Sequence, residues 1–255
     1  MPPQKTMNDY TAATYGDKIA EVYDRMYPMR ANVGPTVDAL AKLAGNGPAL
    51  ELGIGTGRIA LPLAARGIEV HGIDASEAIV AQMRAKPGGK AISVTITDFS
   101  QFNLGGGKKF PLVYVVFNTL FQATSQEAQV DCFKSVAAHL TDDGVFLVEA
   151  FVPDPTRFIR MRDDNATVTV NGKEIPAIDL VNHDPVRQLV SSHEIFNGQS
   201  GISLYPVQVR YAWPSELDLM AQLAGLRLRH RWGDWDGSPF TASSEFHISI
   251  YEKAP

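Results

Sequence analysis

Three glycines at alternate positions follow an acidic residue in "ELGIGTGR": Glu51, then Gly53, Gly55 and Gly57, with Arg58 next. Asp74 closes the following apolar run, in "GIDAS". A glycine turn between a strand and a helix lets a ligand approach the main chain and leaves helix N–H groups pointing at it. A carboxylate at the end of the next strand can accept bonds from both hydroxyls of a ribose. The spacing excludes two better-known phosphate binders. A P-loop needs Lys and then Ser or Thr after its last glycine, whereas Gly57 is followed by Arg58 and Ile59. The third glycine of a dinucleotide fingerprint would fall on Arg58. What remains is acidic-x-G-x-G-x-G, whose free N–H groups face a ribose or a carboxylate in place of a pyrophosphate. The bland alternative is a tight turn with Asp74 capping the next helix, which Asp-x-Ser ahead of Glu77 also allows.

Other residues carry weaker signals. Tyr23 and Tyr27 in "YDRMY" stand four apart and share a helix face, and Tyr10 and Tyr15 lie upstream. His183, His193, His230 and His247 are candidate bases near neutral pH, each competing with a plain structural role. "HRWGDWDGSPF" gathers Trp232, Asp234, Trp235 and Asp236 in one loop. Tyr205 and Arg210 are further pocket candidates. Cys132 sits mid-helix in "QVDCFKSVAAHL" and reads as packing.

These residues need a scaffold. The 255-residue chain is 45% hydrophobic and carries a net charge of −5, with no basic cluster longer than a pair, which argues against nucleic-acid binding. One cysteine excludes an intrachain disulfide. The polar start "MPPQKTMNDYTAATYG" and the lack of an apolar run of about 18 residues point to a soluble, cytoplasmic chain that does not enter a membrane. From Gly47 to Pro153 short apolar runs ("ALELGI", "EVHGID", "AISVTIT", "LVYVVF", "VFLVEAF") alternate with helical spacing at Thr56–Arg66, Glu77–Lys86 and Ser125–Leu140, which predicts βαβ units around a parallel sheet. From Thr167 to Trp213 the pattern turns antiparallel, with hairpin signals at Asn171-Gly172 and Asn197-Gly198. Pro214-Ser215 then opens a helix through Ala224, and the strands "LRLRHRW" and "FHISIYE" follow. The expected division is an N-terminal helical lid at 1–46, a core at 47–153 and 214–255, and an antiparallel insertion at 154–213 on the substrate side.

At this point the sequence resembles the class I S-adenosylmethionine (SAM)-dependent methyltransferases. "ELGIGTGR" is similar to their first motif, "GIDAS" to their second, "TDFSQF" to the loop after strand three, "VFNTLFQ" to the end of strand four, and "LTDDGVFLVEAF" to the approach to strand five. The resemblance implies an α/β, Rossmann-like seven-stranded sheet of order 3-2-1-4-5-7-6 with strand seven antiparallel. It implies SAM as cofactor, S-adenosylhomocysteine (SAH) as product, and an S_N2 methyl transfer. It also implies a cofactor set of Glu51, Gly53, Gly55, Gly57, Arg58, Asp74, Ala75, Asp98 (at the adenine amino group), Phe99 (flanking the ring), Asn118, Tyr15 and Tyr23. The small-molecule branch with glycine and amino-sugar N-methyltransferases carries a similar Tyr-Asp-x-x-Tyr lid and a similar insertion. By that likeness the catalytic candidates are Tyr23, Tyr27, His183 and His193, and the substrate candidates are Gln122, Tyr205, Arg210 and Trp235. Gln122 stands where the amino-sugar enzymes place a histidine. No metal is expected: Asn118 replaces the carboxylate of the catechol type, and Asp163–Asn165 lies in a turn-rich stretch. The expected function is methyl transfer to an O or N nucleophile of a small metabolite or natural-product intermediate, in a monomer or homodimer. The alternative is a SAM-binding pseudoenzyme or a cyclase without methyl transfer.

Overall fold

Apolar runs too short for helices become the central strands. A computed structural model describes residues 10–27, 33–154, 167–170, 173–176, 182–198 and 201–255. The strands are β1 (Ala49–Leu52), β2 (Val70–Asp74), β3 (Ser93–Ile96), β4 (Phe110–Val115), β5 (Leu140–Phe151), β6 (Thr167–Val170), β7 (Lys173–Pro176), β8 (Asn182–Asp184), β9 (Leu189–Gly198), β10 (Gly201–Arg210), β11 (Leu226–Trp232) and β12 (Phe246–Lys253). The helices, in the numbering used here, are α1 (Thr14–Ile19), α2 (Tyr23–Met26), α3 (Val33–Ala44), α4 (Ala60–Ala64), α5 (Glu77–Arg84), α6 (Gln126–His139) and α7 (Pro214–Leu223).

One seven-stranded sheet runs β3-β2-β1-β4-β5-β12-β11. β12 is antiparallel to both neighbours, and the pairs among β1 to β5 are parallel. With β11 and β12 counted as strands six and seven, this is the order 3-2-1-4-5-7-6. Alternation within β4 explains the layers: Leu112 and Tyr114 join a core with α3, α4 and α5, while Val113 and Val115 join a second core with α6 and α7. A sheet covered on both faces needs such unbroken apolar strands. The strand order switches direction between β1 and β4, and in open α/β sheets ligands bind outside the carboxyl ends of the strands at that switch.

Three details depart from the sequence pattern. The helix expected at Thr56–Arg66 is only Ala60–Ala64, because Gly55 and Gly57 take φ of 54° and 75°, which no helix accommodates. Tyr23 opens the single turn α2 and Tyr27 is its non-helical C-cap, so the two do not lie within one longer helix. Asn197 and Gly198 end β9, paired with Ile202 and Gly201, so the chain reverses just after them. β6 and β7 pair antiparallel across positions 171–172; Asn171, Gly172 and Asp163–Asn165 lie outside the described residues. β8, β9 and β10 form a separate antiparallel sheet, and β10 leans on α1 and on the 3-10 turn Thr119–Gln122.

Candidate functional site

The glycine loop is held open by a single carboxylate. Asp74, at the end of β2, accepts from the Gly55 amide at 2.8 Å and from the Ser76 amide at 2.9 Å. Burial pushes its pKa up more than these amides pull it down. Ser76, not Asp74, caps α5, its hydroxyl accepting from the Ile79 amide. The two outer glycines are needed for close packing: a Cβ on Gly53 (φ 70°) would lie 2.4 Å from the Thr119 methyl, and one on Gly57 would lie 2.6 Å from Met83 Cγ. Gly55 differs. A Cβ there would meet nothing nearer than 3.8 Å, because the loop faces a cleft.

That cleft is open to solvent at its mouth. Tyr10, Tyr15, Tyr23, Gly53, Gly55, Asp74, Ala75, Asp98, Phe99, Thr119 and Gln122 are among its walls. The N-terminal segment is fastened beside it. Ser76 donates to Asp17 at 2.6 Å, Thr56 donates to Asp24 at 2.7 Å, and Lys86 pairs with Asp24 at 2.6 Å. Burial works against the Asp24 charge, but the bonds from Lys86 and Thr56 outweigh it and keep that carboxyl below its ordinary value.

Beside the cleft, Arg58 is caged by aromatic rings. Its guanidinium carbon lies 4.8 Å from the Tyr23 ring centre, 5.5 Å from Tyr27 and 4.7 Å from Phe117, and the two tyrosine rings are 5.1 Å apart. Phe117 and Asn118 take φ of 56° and 64°, a left-handed conformation that is costly for bulky residues. Their turn is clamped: the Phe117 amide donates to the Glu149 carboxylate at 2.9 Å, and the Phe151 amide to Asn118 Oδ1 at 2.7 Å.

The remaining sequence candidates stand elsewhere. Glu51 lies beneath the loop, buried, accepting from the Tyr114 hydroxyl at 2.9 Å; burial pushes its pKa up to about 8. Arg210 is buried in a structural network, donating to Gln129, Gln188 and Glu216 at 2.7, 3.1 and 2.6 Å. His183 pairs with the Tyr211 hydroxyl at 3.1 Å. His193 on β9 and the core residue Trp235 each bury a ring nitrogen that makes no hydrogen bond. Tyr205 packs against the same core as Tyr15, Tyr23 and Tyr27 without lining the cleft. His247 is fully buried beside Ser249, its pKa driven down to about 3 by burial and Arg231. Among the described residues no group of three His, Cys, Asp or Glu is placed to hold a metal, and no helix is long and apolar enough to cross a membrane.

A sequence model of the methyltransferase domain matches residues 49–144. The chain superimposes on the CcbJ methyltransferase of Streptomyces caelestis with a TM-score of 0.82 and 36% identity, over 96% of this chain and 100% of that one. The chain belongs to the class I SAM-dependent methyltransferases. SAM is therefore its cofactor. The cypemycin N-terminal methyltransferase of a Streptomyces species is 26% identical to it, over 94% of this chain and 98% of that protein. SAM-bound CalS10, an amino pentose methyltransferase from Micromonospora echinaspora, shares the fold at a TM-score of 0.66 and 19% identity, over 91% of this chain and 97% of that one.

In this methyltransferase the glycine loop, Asp74 and the "DFS" loop line one cleft. Thr119, wedged against Gly53, is a wall residue that sequence reasoning missed; its place in "VFNTLFQ" was the available signal. The Asp24–Thr56–Lys86 fastening was missed too, because its members carry no motif.

Proposed function

We propose that this methyltransferase moves a methyl group from SAM to an amine nitrogen of a small natural-product acceptor. The observation that carries the reading is the cleft's chemistry. Among its described wall residues the ionisable groups are Asp74, Asp98 and tyrosines, with no histidine and no lysine. A hydroxyl acceptor needs a base to become a nucleophile at neutral pH, whereas an amine needs only to arrive without its proton. Similarity to a methyltransferase named for an N-terminal acceptor supports the same choice.

In this reading both Asp74 oxygens, each already taking one amide N–H, keep lone pairs for the two ribose hydroxyls. Asp98 and Phe99 serve the adenine end, while Gly53, Gly55, Ala75, Tyr15 and Tyr23 frame the rest. Bound SAM supplies an electrophilic methyl on a sulfonium. The chain's own task is orientation, worth up to ~7–11 kcal/mol of a barrier, and exclusion of water by the lid. We assign the lid to 1–46, the core to 47–153 and 214–255, and the acceptor side to the 154–213 insertion. Gln122 and Thr119 line the cleft and would meet the acceptor.

The test is turnover with SAM on a panel of amino sugars and N-terminal dipeptide amines, with matched alcohols alongside. SAH accompanied by a methylated amine supports the proposal, and methylation of the alcohols alone would overturn it. Gln122 favours a second reading, cofactor binding without transfer. SAH absent from every arm despite tight SAM binding would favour that reading.

A further inference from the structure

Thr56, between the second and third loop glycines, is buried and gripped at both its polar ends. Its hydroxyl donates to one Asp24 oxygen at 2.7 Å, and its carbonyl accepts from the Lys86 ammonium at 2.8 Å. Lys86 also reaches the second Asp24 oxygen, at 2.6 Å. The three groups close a hydrogen-bonded ring in which one ammonium holds both the glycine loop and the N-terminal segment. The loop needs such a hold. Gly55 and Gly57 flank Thr56 at φ of 54° and 75°, and a peptide next to glycine has many orientations open to it. Lys86 fixes the carbonyl side of the peptide that joins Thr56 to Gly57, and the Gly57 amide fixes the other side by donating to the Ile54 carbonyl at 3.0 Å. Lys86 stands just beyond α5, and α5 meets every part of the arrangement. Its cap, Ser76, donates to Asp17 of α1 at 2.6 Å. Its Ile79 and Met83 are the side chains nearest to where Gly55 and Gly57 would carry a Cβ. Asp74 and Ala75, walls of the cleft, lead directly into it. The Asp24–Lys86 pair is partly exposed and worth little by itself; what it adds is connection.

We propose that Lys86 is a positioning residue that couples the lid to the cofactor loop. Its ammonium holds the Thr56 carbonyl and the Asp24 carboxylate together, so the N-terminal segment docks fully only while the glycine loop keeps its cofactor-binding shape. This rests on the cofactor reading of the cleft. Two events coupled through a shared element must influence each other equally: a docked lid raises cofactor affinity, and bound cofactor tightens the lid. Tyr10, Tyr15 and Tyr23 of that segment wall the cleft beside Gly53 and Gly55, so docked and undocked lids offer a ligand different contacts, as such coupling requires.

The experiment measures two quantities on the parent, Lys86→Met, Lys86→Arg and Asp24→Ala: SAH affinity by calorimetry, and the rate of proteolysis within residues 14–30 with and without saturating SAH. In the parent, SAH should slow cleavage. Lys86→Met is expected to bind SAH about five- to twentyfold more weakly, within the usual range of a coupling between two sites, and its cleavage rate should no longer respond to SAH. Asp24→Ala should also lose that response but keep more of the affinity, because Lys86 still holds the Thr56 carbonyl. Lys86→Arg should recover part of both, because it restores the charge. A residue that merely packs would lower the melting temperature of Lys86→Met and leave the protection by SAH intact, and that result overturns the proposal. So does a Lys86→Met variant with parental affinity, or a parent that binds SAH without any slowing of cleavage. If Lys86→Met does not fold, Asp24→Ala decides: cleavage slowed by SAH as much as in the parent overturns the coupling. A parent that does not bind SAH would instead sink the cofactor reading of the cleft.

Discussion

Glu51 makes the stability of this protein depend on pH in a direction opposite to that of most carboxylates. The side chain is buried under the glycine loop, and burial first, with the nearby Asp74 charge adding, lifts its pKa from 4.5 to about 8 against the pull of the Tyr114 hydroxyl. A carboxyl held above its unfolded value contributes its full share to stability below about pH 4.5, and that share is lost as pH rises through about 8. At ~1.36 kcal/mol per pH unit between those values, the ceiling is on the order of 5 kcal/mol. Glu51→Gln keeps an acceptor for Tyr114 and removes the charge. Urea unfolding at pH 5, 7 and 9 should give nearly equal stabilities at pH 5 and a variant more stable by roughly 2–5 kcal/mol at pH 9. Asp74, whose pKa is also raised by burial, interacts with Glu51, so the difference between the two profiles belongs to the pair. Parallel pH profiles for parent and variant would refute the buried, protonated Glu51.

Gly55→Val should abolish SAM binding, because its side chain would enter the cleft. Its left-handed backbone adds only ~1–2 kcal/mol of strain, so thermal melting without ligand should show a fold that survives; an unfolded variant whose soluble fraction still binds SAM would contradict this. Arg210→Ala should cost about 3–5 kcal/mol of stability, as expected for breaking a buried pair by removing one partner, yet leave SAH affinity intact by calorimetry; a loss of affinity at unchanged stability would return Arg210 to the pocket. Proteolysis around Thr14–Arg30 should slow when SAH is added and quicken in Asp24→Ala, which loses its bonds to Thr56 and Lys86. Equal cleavage rates throughout would remove the lid.

What was legible in the sequence is what is local. The glycine spacing, Asp74 and the alternating strands are written within short windows, and the seven-strand order follows from the resemblance those windows support. What was not legible depends on meetings between distant segments. Arg210 reads as a pocket residue on its strand, but Gln129 on α6 and Glu216 on α7 claim its guanidinium. Tyr114 reads as one more apolar strand residue, but it satisfies Glu51 across two adjacent strands. Phe117 carries no signal that it will adopt a positive φ. Its amide is taken by Glu149, a residue of β5, which the local sequence does not announce.

The central claim is that SAM sits in the cleft with its ribose on Asp74, and calorimetric titration of the parent and Asp74→Asn with SAH tests it most directly. Asp74→Asn preserves shape and one acceptor oxygen while removing the charge that strengthens each hydroxyl bond by about 1 kcal/mol or more. The account predicts at least tenfold weaker binding by a variant that still folds. Equal affinities in the two proteins would contradict it.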